Sequence, residues 1–308
     1  MQDKVWDCVV IGAGAAGMTA AMYLKRANIE VCIIEKSAPG GLLNKSSIIE
    51  NYPGMEAMSG PDLALKFYKQ ITDLAIPYQY GDVLEIKDPL KDVKTIVTDQ
   101  GTVKTKKIIL AVGREPKKLN NTNQDRAIGH GVSFCSLCDG ALYKGEEVAL
   151  IGGGNSASEE ALYLSKICKK VYILVRSNKL IADQILKERL ENTANIEILY
   201  QTEVKDFVLE KDKLKELVIT KGNEKEELTL AVKACFIFIG YTPATNFLKN
   251  LDILDEKGYI NVDENKETKI QGIFAAGDVV SKSAYQVATA TSDAIIAATK
   301  CIKELNSF

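Results

Sequence analysis

Twice in this chain an apolar run of strand length ends in a glycine cluster, continues as a helically spaced segment and returns as a second apolar run. The first copy runs from Val5 to Ile11, through Gly12-Ala-Gly14-Ala-Ala-Gly17, then Met18 to Ala27, then Glu30 to Ile34. The second runs from Glu147 to Ile151, through Gly152-Gly-Gly154-Asn-Ser-Ala157, then Ser158 to Cys168, then Val171 to Val175. A strand, a tight glycine turn, a helix and a strand in this order are the parts of a dinucleotide-binding unit. Gly12 permits the turn, Gly14 lets the backbone approach a pyrophosphate, and Gly17 lets helix and sheet pack closely. Glu35 stands 23 residues after Gly12, where a carboxylate accepts hydrogen bonds from ribose hydroxyls. The same count from Gly152 lands on Val175. The fold class is therefore α/β, with two Rossmann-like dinucleotide-binding domains, and the second lacks its ribose-reading acid.

Chemistry concentrates in Cys135-Ser-Leu-Cys138-Asp139-Gly140. Two cysteines at this spacing can close a small disulfide, and a helix start favours a thiolate. An acid directly after the second cysteine can hold and deliver the proton of thiol–disulfide chemistry. Half of a zinc site is the alternative. It needs two further ligands, whereas Cys8, Cys32, Cys168, Cys235 and Cys301 are scattered singly and His130 is the sole histidine. The redox disulfide is the favoured reading, with no metal, and His130 reads as a loop residue.

At 308 residues the chain is long for one core. Short alternating strands from Tyr78 onward end in Ala111-Val-Gly113-Arg114, and Pro116 opens a hinge; a matching return comes at Gly240-Tyr-Thr-Pro243. The second domain is thus inserted into the first: residues 1–115 and 242–308 form one domain, 116–241 the other. A net charge of −2 supplies no field to recruit nucleic acid or an anionic membrane. No apolar run approaches the ~18 residues of a membrane span. The start of the chain lacks a signal-peptide pattern, and seven mostly solitary cysteines suit a reducing compartment, so a cytoplasmic protein is expected.

Gly12-x-Gly14-x-x-Gly17, Ala111-Val-Gly113-Arg114, Cys-x-x-Cys-Asp, Gly152-Gly-Gly154-Asn-Ser-Ala157 and Phe274-Ala-Ala-Gly277-Asp278-Val279 occur in that order over essentially the whole chain. This set resembles the low-molecular-weight thioredoxin reductases. The resemblance implies a three-layer ββα architecture, FAD in the first domain, a homodimer, and thioredoxin as the partner reduced by the cysteine pair. It assigns Cys135 and Cys138 as the redox pair and Asp139 as the proton donor. It places FAD contacts at Gly12, Gly14, Ala15, Ala16, Glu35, Lys36, Gly40, Gly41, Leu42, Asn51 and Val83. Further contacts fall at Ala111, Gly113, Gly277, Asp278, Gln286 and Val287.

Two departures from the family pattern bear on the electron donor. Members using NADPH carry a His-Arg-Arg-x-x-x-Arg run that holds the 2′-phosphate. Here the run reads Val175-Arg176-Ser177-Asn178-Lys179-Leu180-Ile181, and only Arg176 survives. The family's Tyr-Arg-Gln is Ala284-Tyr285-Gln286, and the small stretch after it is Ser292-Asp293-Ala294. These losses resemble the ferredoxin-dependent flavin thioredoxin reductases, which implies reduced ferredoxin as donor. The energetics permit it: ferredoxins at about −400 mV and thioredoxin at about −270 mV differ by about 6 kcal/mol for two electrons. Pyridine nucleotide is the alternative, because the Gly152-Gly-Gly154 turn is intact. A ferredoxin- or flavodoxin-NADP reductase of similar architecture is a further alternative, one with no use for the cysteine pair. Lys117, Lys118, Lys169, Lys170, Arg176 and Lys179 are candidates to dock an acidic ferredoxin, although solvated surface is the favoured reading of them.

Overall fold

A computed structural model describes residues 4–119, 123–222 and 226–306. The chain forms two compact units, Met1–Asn44, Ile49–Glu115 and Thr242–Phe308 in one, Lys45–Ile48 and Pro116–Tyr241 in the other. In the first unit the central strand Val5–Ile11 pairs in parallel with Val31–Glu35 on one side and Gly101–Leu110 on the other. Tyr78–Tyr80 extends the sheet beyond Val31–Glu35, and Ile273–Ala275 pairs with Gly101–Leu110. All these pairings are parallel, so the central strands are covered on both faces, as their unbroken apolar runs require. Cys8 and Val10 point into one core with Ile33, Ile109 and Phe274, while Val9 and Ile11 point into the other with Cys32, Ile34 and Leu110.

Helices cover the first face. Ala15–Arg26 lies against Val287–Leu305 through small side chains, Ala16, Ala20 and Ala21 on one, Ala290, Ala294, Ala297 and Ala298 on the other. The first helix can lie so close to its strand because residue 17 is glycine: a Cβ there would fall 1.8 Å from the Gly12 carbonyl oxygen. The antiparallel strands Val83–Lys87 and Lys94–Thr98 supply Val83, Ile86 and Ile96 to the second face. A helix not anticipated from the sequence, Gly60–Asp73, begins where the Ser59 hydroxyl accepts the Asp62 N–H at 3.2 Å, with Pro61 in its first turn.

The second unit repeats the plan on a five-stranded parallel sheet, in the order Ile196–Tyr200, Lys170–Val175, Glu147–Ile151, Ala234–Ile237, Val132–Ser133. Val148 and Leu150 pack against the helix Asn155–Ser165 and its neighbours. Ala149 and Ile151 face Phe207, Leu217 and Ile219 of a three-stranded antiparallel sheet, Thr202–Glu210, Lys213–Lys221 and Glu226–Ala231. Each unit is thus helix, parallel sheet and antiparallel strands: two Rossmann-like folds. Both crossover helices start three residues earlier than the apolar spacing suggests, at Ala15 and Asn155, because the last residues of each glycine turn are already helical.

Candidate functional site

The expected cofactor residues of the first unit gather where its strands end and its helices begin. Gly12 adopts φ 103°, and a Cβ there would lie 2.4 Å from the carbonyl oxygen of Ala111, so only glycine fits against the neighbouring strand end. Gly40 pairs with Gly14 across an isolated bridge and donates its N–H to Ala13 O at 2.8 Å. Gly41 opens a short helical turn that continues through Leu42, and a Cβ on it would come 3.3 Å from Gly14 Cα. Gly277, at φ 81°, lies against the first helix; a Cβ on it would sit 2.7 Å from that of Ala16. Ala15 and Val287 pack around one small cluster with Leu43 and Leu63, and the Asn51 amide donates to Gln286 Oε1 at 3.2 Å.

An open cleft lies beside this convergence, lined by Gly12, Glu35, Lys36 and Val83 among the expected residues. Gly81, Asp82, Ala244 and Phe247 line it too, and sequence reasoning missed them. Gly81-Asp82 follows the short strand beside Val31–Glu35, a register visible only once that pairing is known. Glu35 Oε2 accepts the Ala13 N–H at 2.7 Å, and Oε1 accepts from the Ser37 N–H and hydroxyl at 2.9 and 3.0 Å. The N-cap of Ala15–Arg26 is Gly14, which supplies no side-chain cap; the first turn holds no acid, and the space above Gly14 is open. An uncapped helix end attracts a phosphate. A cleft lined by a carboxylate and by the first glycine of the turn, two residues before such a helix end, suits the adenine dinucleotide part of FAD.

Gly113, at φ 65°, leads into Arg114, whose Nη2 donates to Asp278 Oδ2 at 2.8 Å while its guanidinium lies 3.8 Å from the centre of the Tyr285 ring. Tyr259 stands 6.0 Å from Tyr285. Where the family pattern has arginine at 285, a guanidinium from another strand stacks on a tyrosine. The second altered stretch is equally engaged. Asp293, 7% exposed, accepts the Gly277 N–H at 3.3 Å and pairs with Lys266 at 2.8 Å and with Lys282. A carboxylate on the long C-terminal helix thereby holds the Gly277-Asp278 turn.

In the second unit Cys135 and Cys138 are joined by a disulfide, with S–S 2.04 Å. Cys135 is buried and caps the one-turn helix Ser136–Asp139, its sulfur accepting the Cys138 N–H at 3.1 Å; Cys138 is exposed. Asp139 closes that turn, half-buried, with its N–H on Cys135 O at 3.2 Å. The other five cysteines are free and buried. Burial pushes the Cys32 thiol up to about 12 and Cys168 to about 11, so neither offers a thiolate at neutral pH. His130 is exposed in a turn.

The second glycine turn matches the first in backbone form and differs in what faces it. Val175 Cγ1 lies 3.1 Å from where a Gly153 Cβ would be, so an apolar side chain occupies the register that Glu35 holds over Ala13. The segment after it folds back: Ile181 N–H donates to Gly153 O at 2.8 Å, and Asp183 exchanges hydrogen bonds of 2.7 and 2.8 Å with Asn155 at the helix start. Of the basic residues considered for docking, Lys118, Lys169 and Lys170 pair with Asp125, Glu147 and Glu197 of the same unit.

Residues 6–294 match the pyridine nucleotide-disulphide oxidoreductase family. The thioredoxin reductase of Bacillus subtilis is 39% identical over 96% of this chain and 94% of its own. The crystal structure of Lactococcus lactis thioredoxin reductase superposes with TM-score 0.95 at 37% identity, over 98% of this chain and 100% of that one. A ferredoxin-flavin thioredoxin reductase from Clostridium acetobutylicum matches at 27% identity and TM-score 0.54, over 98% and 99%. With a bonded Cys-x-x-Cys pair in one unit and a dinucleotide cleft in the other, the chain belongs to the pyridine nucleotide-disulphide oxidoreductases, and among them to the FAD-containing thioredoxin reductases.

Proposed function

We propose that this thioredoxin reductase takes its electrons from reduced ferredoxin and passes them through FAD and the Cys135–Cys138 pair to thioredoxin. The observation that carries the donor assignment is Val175 against Gly153. A ribose placed there meets a methyl group where Glu35 offers a carboxylate, and its hydroxyls lose their partners. Ser177 and Ile181 stand where a 2′-phosphate needs cations, and Asp183 at the start of Asn155–Ser165 sets a negative charge beside the pyrophosphate position.

FAD, when bound, supplies a centre that collects single electrons and releases them in pairs. The protein's own residues do the rest. Gly12, Gly14, Ala15, Ala16, Gly40, Gly41 and Leu42 shape the phosphate end, and Glu35, Lys36 and Val83 the nucleoside end. Ala111, Gly113, Asn51, Gly277, Asp278, Gln286 and Val287 complete the site. Cys135 and Cys138 accept two electrons as their bond opens, and Asp139 carries the proton between sulfur and solvent. The homodimer and the cytoplasmic setting belong to this reading; among the described residues no helix is long and apolar enough to cross a membrane.

Anaerobic stopped-flow mixing of the holoprotein with reduced ferredoxin, NADPH and NADH in turn tests the donor. Ferredoxin should bleach the flavin at a rate sufficient for turnover, and both nucleotides should fail at micromolar concentration. Fast bleaching by NADPH overturns the assignment. That second reading draws on Gly154, which caps its helix without a side chain and without an acid in the first turn, as Gly14 does.

A further inference from the structure

Glu160, on the helix Asn155–Ser165, is 5% exposed and has no part in the electron path above. Its Oε1 accepts the N–H of Ser47 at 3.2 Å and the Ser47 hydroxyl at 3.0 Å; Ser47 belongs to Lys45–Ile48, the short segment that packs with this unit. Its Oε2 is buried without a hydrogen-bond partner. So is the hydroxyl oxygen of Ser136, the fully buried residue that directly follows Cys135 in the disulfide turn. The Ser136 hydroxyl faces the Glu160 carboxyl closely enough to act on it as a donor, short of a well-formed hydrogen bond. Burial, the largest influence, raises the acid above the usual carboxylate range. A hydrogen bond from the Ser136 hydroxyl to Oε2 pairs both orphan atoms at once, while Oε1 keeps both donors of Ser47. The turn also lies hard against the same helix: a Cβ on Gly140 would come 3.1 Å from Leu164 Cδ2.

We propose that Glu160 is a positioning residue of the redox turn: by bridging Ser136 to Ser47 it keeps Cys135 and Cys138 within bonding reach after their S–S bond is cut. The inference rests on the reading of this pair as a redox disulfide. In the exchange the two thiols lose two electrons and two protons as S–S closes, and the disulfide of thioredoxin gains both and opens to a dithiol. The equilibrium depends on the effective concentration of one thiol at the other. A tenfold loss of that concentration moves the pair's reduction potential by about 30 mV toward less negative values.

The test is a redox titration of the holoprotein, without thioredoxin or electron donor, in dithiothreitol buffers of graded composition. The oxidised fraction of the pair is read by acid quench and mass-tagging of free thiols. Glu160→Ala should shift the midpoint by about 30 mV, a tenfold change. Glu160→Gln should titrate at the native midpoint, because its amide N–H donates to Ser136 and its oxygen keeps Ser47. Ser136→Ala removes only the hydroxyl and should shift the midpoint as Glu160→Ala does, which keeps the test decisive where Glu160→Ala fails to fold. A native midpoint in Ser136→Ala, or a Glu160→Gln shift as large as that of Glu160→Ala, overturns the proposal. A pair in the native protein that never titrates overturns the disulfide reading, and this proposal with it.

Discussion

Arg114 joins an acid and an aromatic ring that lie far apart in sequence. Its ion pair with Asp278 is mostly enclosed, the side chains 13% and 19% exposed, and Tyr285 covers the face of the guanidinium. Arg114→Ala leaves the Asp278 carboxylate without that cation in poorly solvated surroundings, at a cost of about 1–3 kcal/mol. The melting transition should drop and bound FAD should dissociate faster. Arg114→Lys should recover only part of both, since an ammonium restores the charge and not the planar stack. Asp139→Asn belongs to the same scale and should behave oppositely: stability near native, thioredoxin turnover slower by roughly 10²–10⁴-fold. Unchanged turnover would remove Asp139 from proton transfer. The Cys135–Cys138 disulfide was legible in the sequence because the pair is contained in four consecutive residues. The Arg114–Asp278 pair was not, because its partners are 164 residues apart and neither looks unusual alone.

The helix Val287–Leu305 is fixed at both ends by side chains. Gln286 and Thr289 form a capping box at its start. At its end Glu304 reaches Lys107 at 2.5 Å and Lys300 at 3.1 Å. Burial alone would raise the Glu304 carboxyl, but its hydrogen bonds to Lys107 and Lys300 outweigh it and hold the group below the usual 4.5. Glu304 therefore contributes stability that is present above pH 4.5 and lost as pH falls through its folded value. Glu304→Gln should lower stability near neutral pH by about 1.5–3 kcal/mol, the worth of a hydrogen bond to a charged group. The gap to the native protein should narrow on acidification in thermal melts. Glu267 has the opposite sign: burial and the neighbouring Glu304 raise it, so its charge costs stability that is lost as pH rises from 4.5 through the folded value. Glu267→Gln should be neutral or stabilising at pH 7. The motif that ends in Gly277-Asp278-Val279, shortly before this helix, was legible in the sequence. The antiparallel sheet that ends in Glu226–Ala231 was not, because most of that last strand is exposed, its apolar Leu228 included, and it carries little periodic signal.

For the whole molecule, two glycine turns determine most of the architecture. Each forces a strand to meet a helix with no room for a side chain at Gly12 or Gly152, and that constraint is visible locally in the sequence. Of the cleft, Gly12, Glu35, Lys36 and Val83 were legible; Ala244 and Phe247 reach it from the chain beyond the inserted unit. The central claim is that electrons leave the flavin through Cys135 and Cys138, whatever donor fills it. The direct measurement is a single turnover that omits the donor: the flavin is photoreduced under anaerobic conditions, mixed with oxidised thioredoxin, and followed by its absorbance. Native protein should recover the oxidised flavin spectrum while thioredoxin gains two thiols. Cys135→Ser and Cys138→Ser should each leave the flavin reduced on that timescale, and reoxidation of either variant at the native rate would contradict the account.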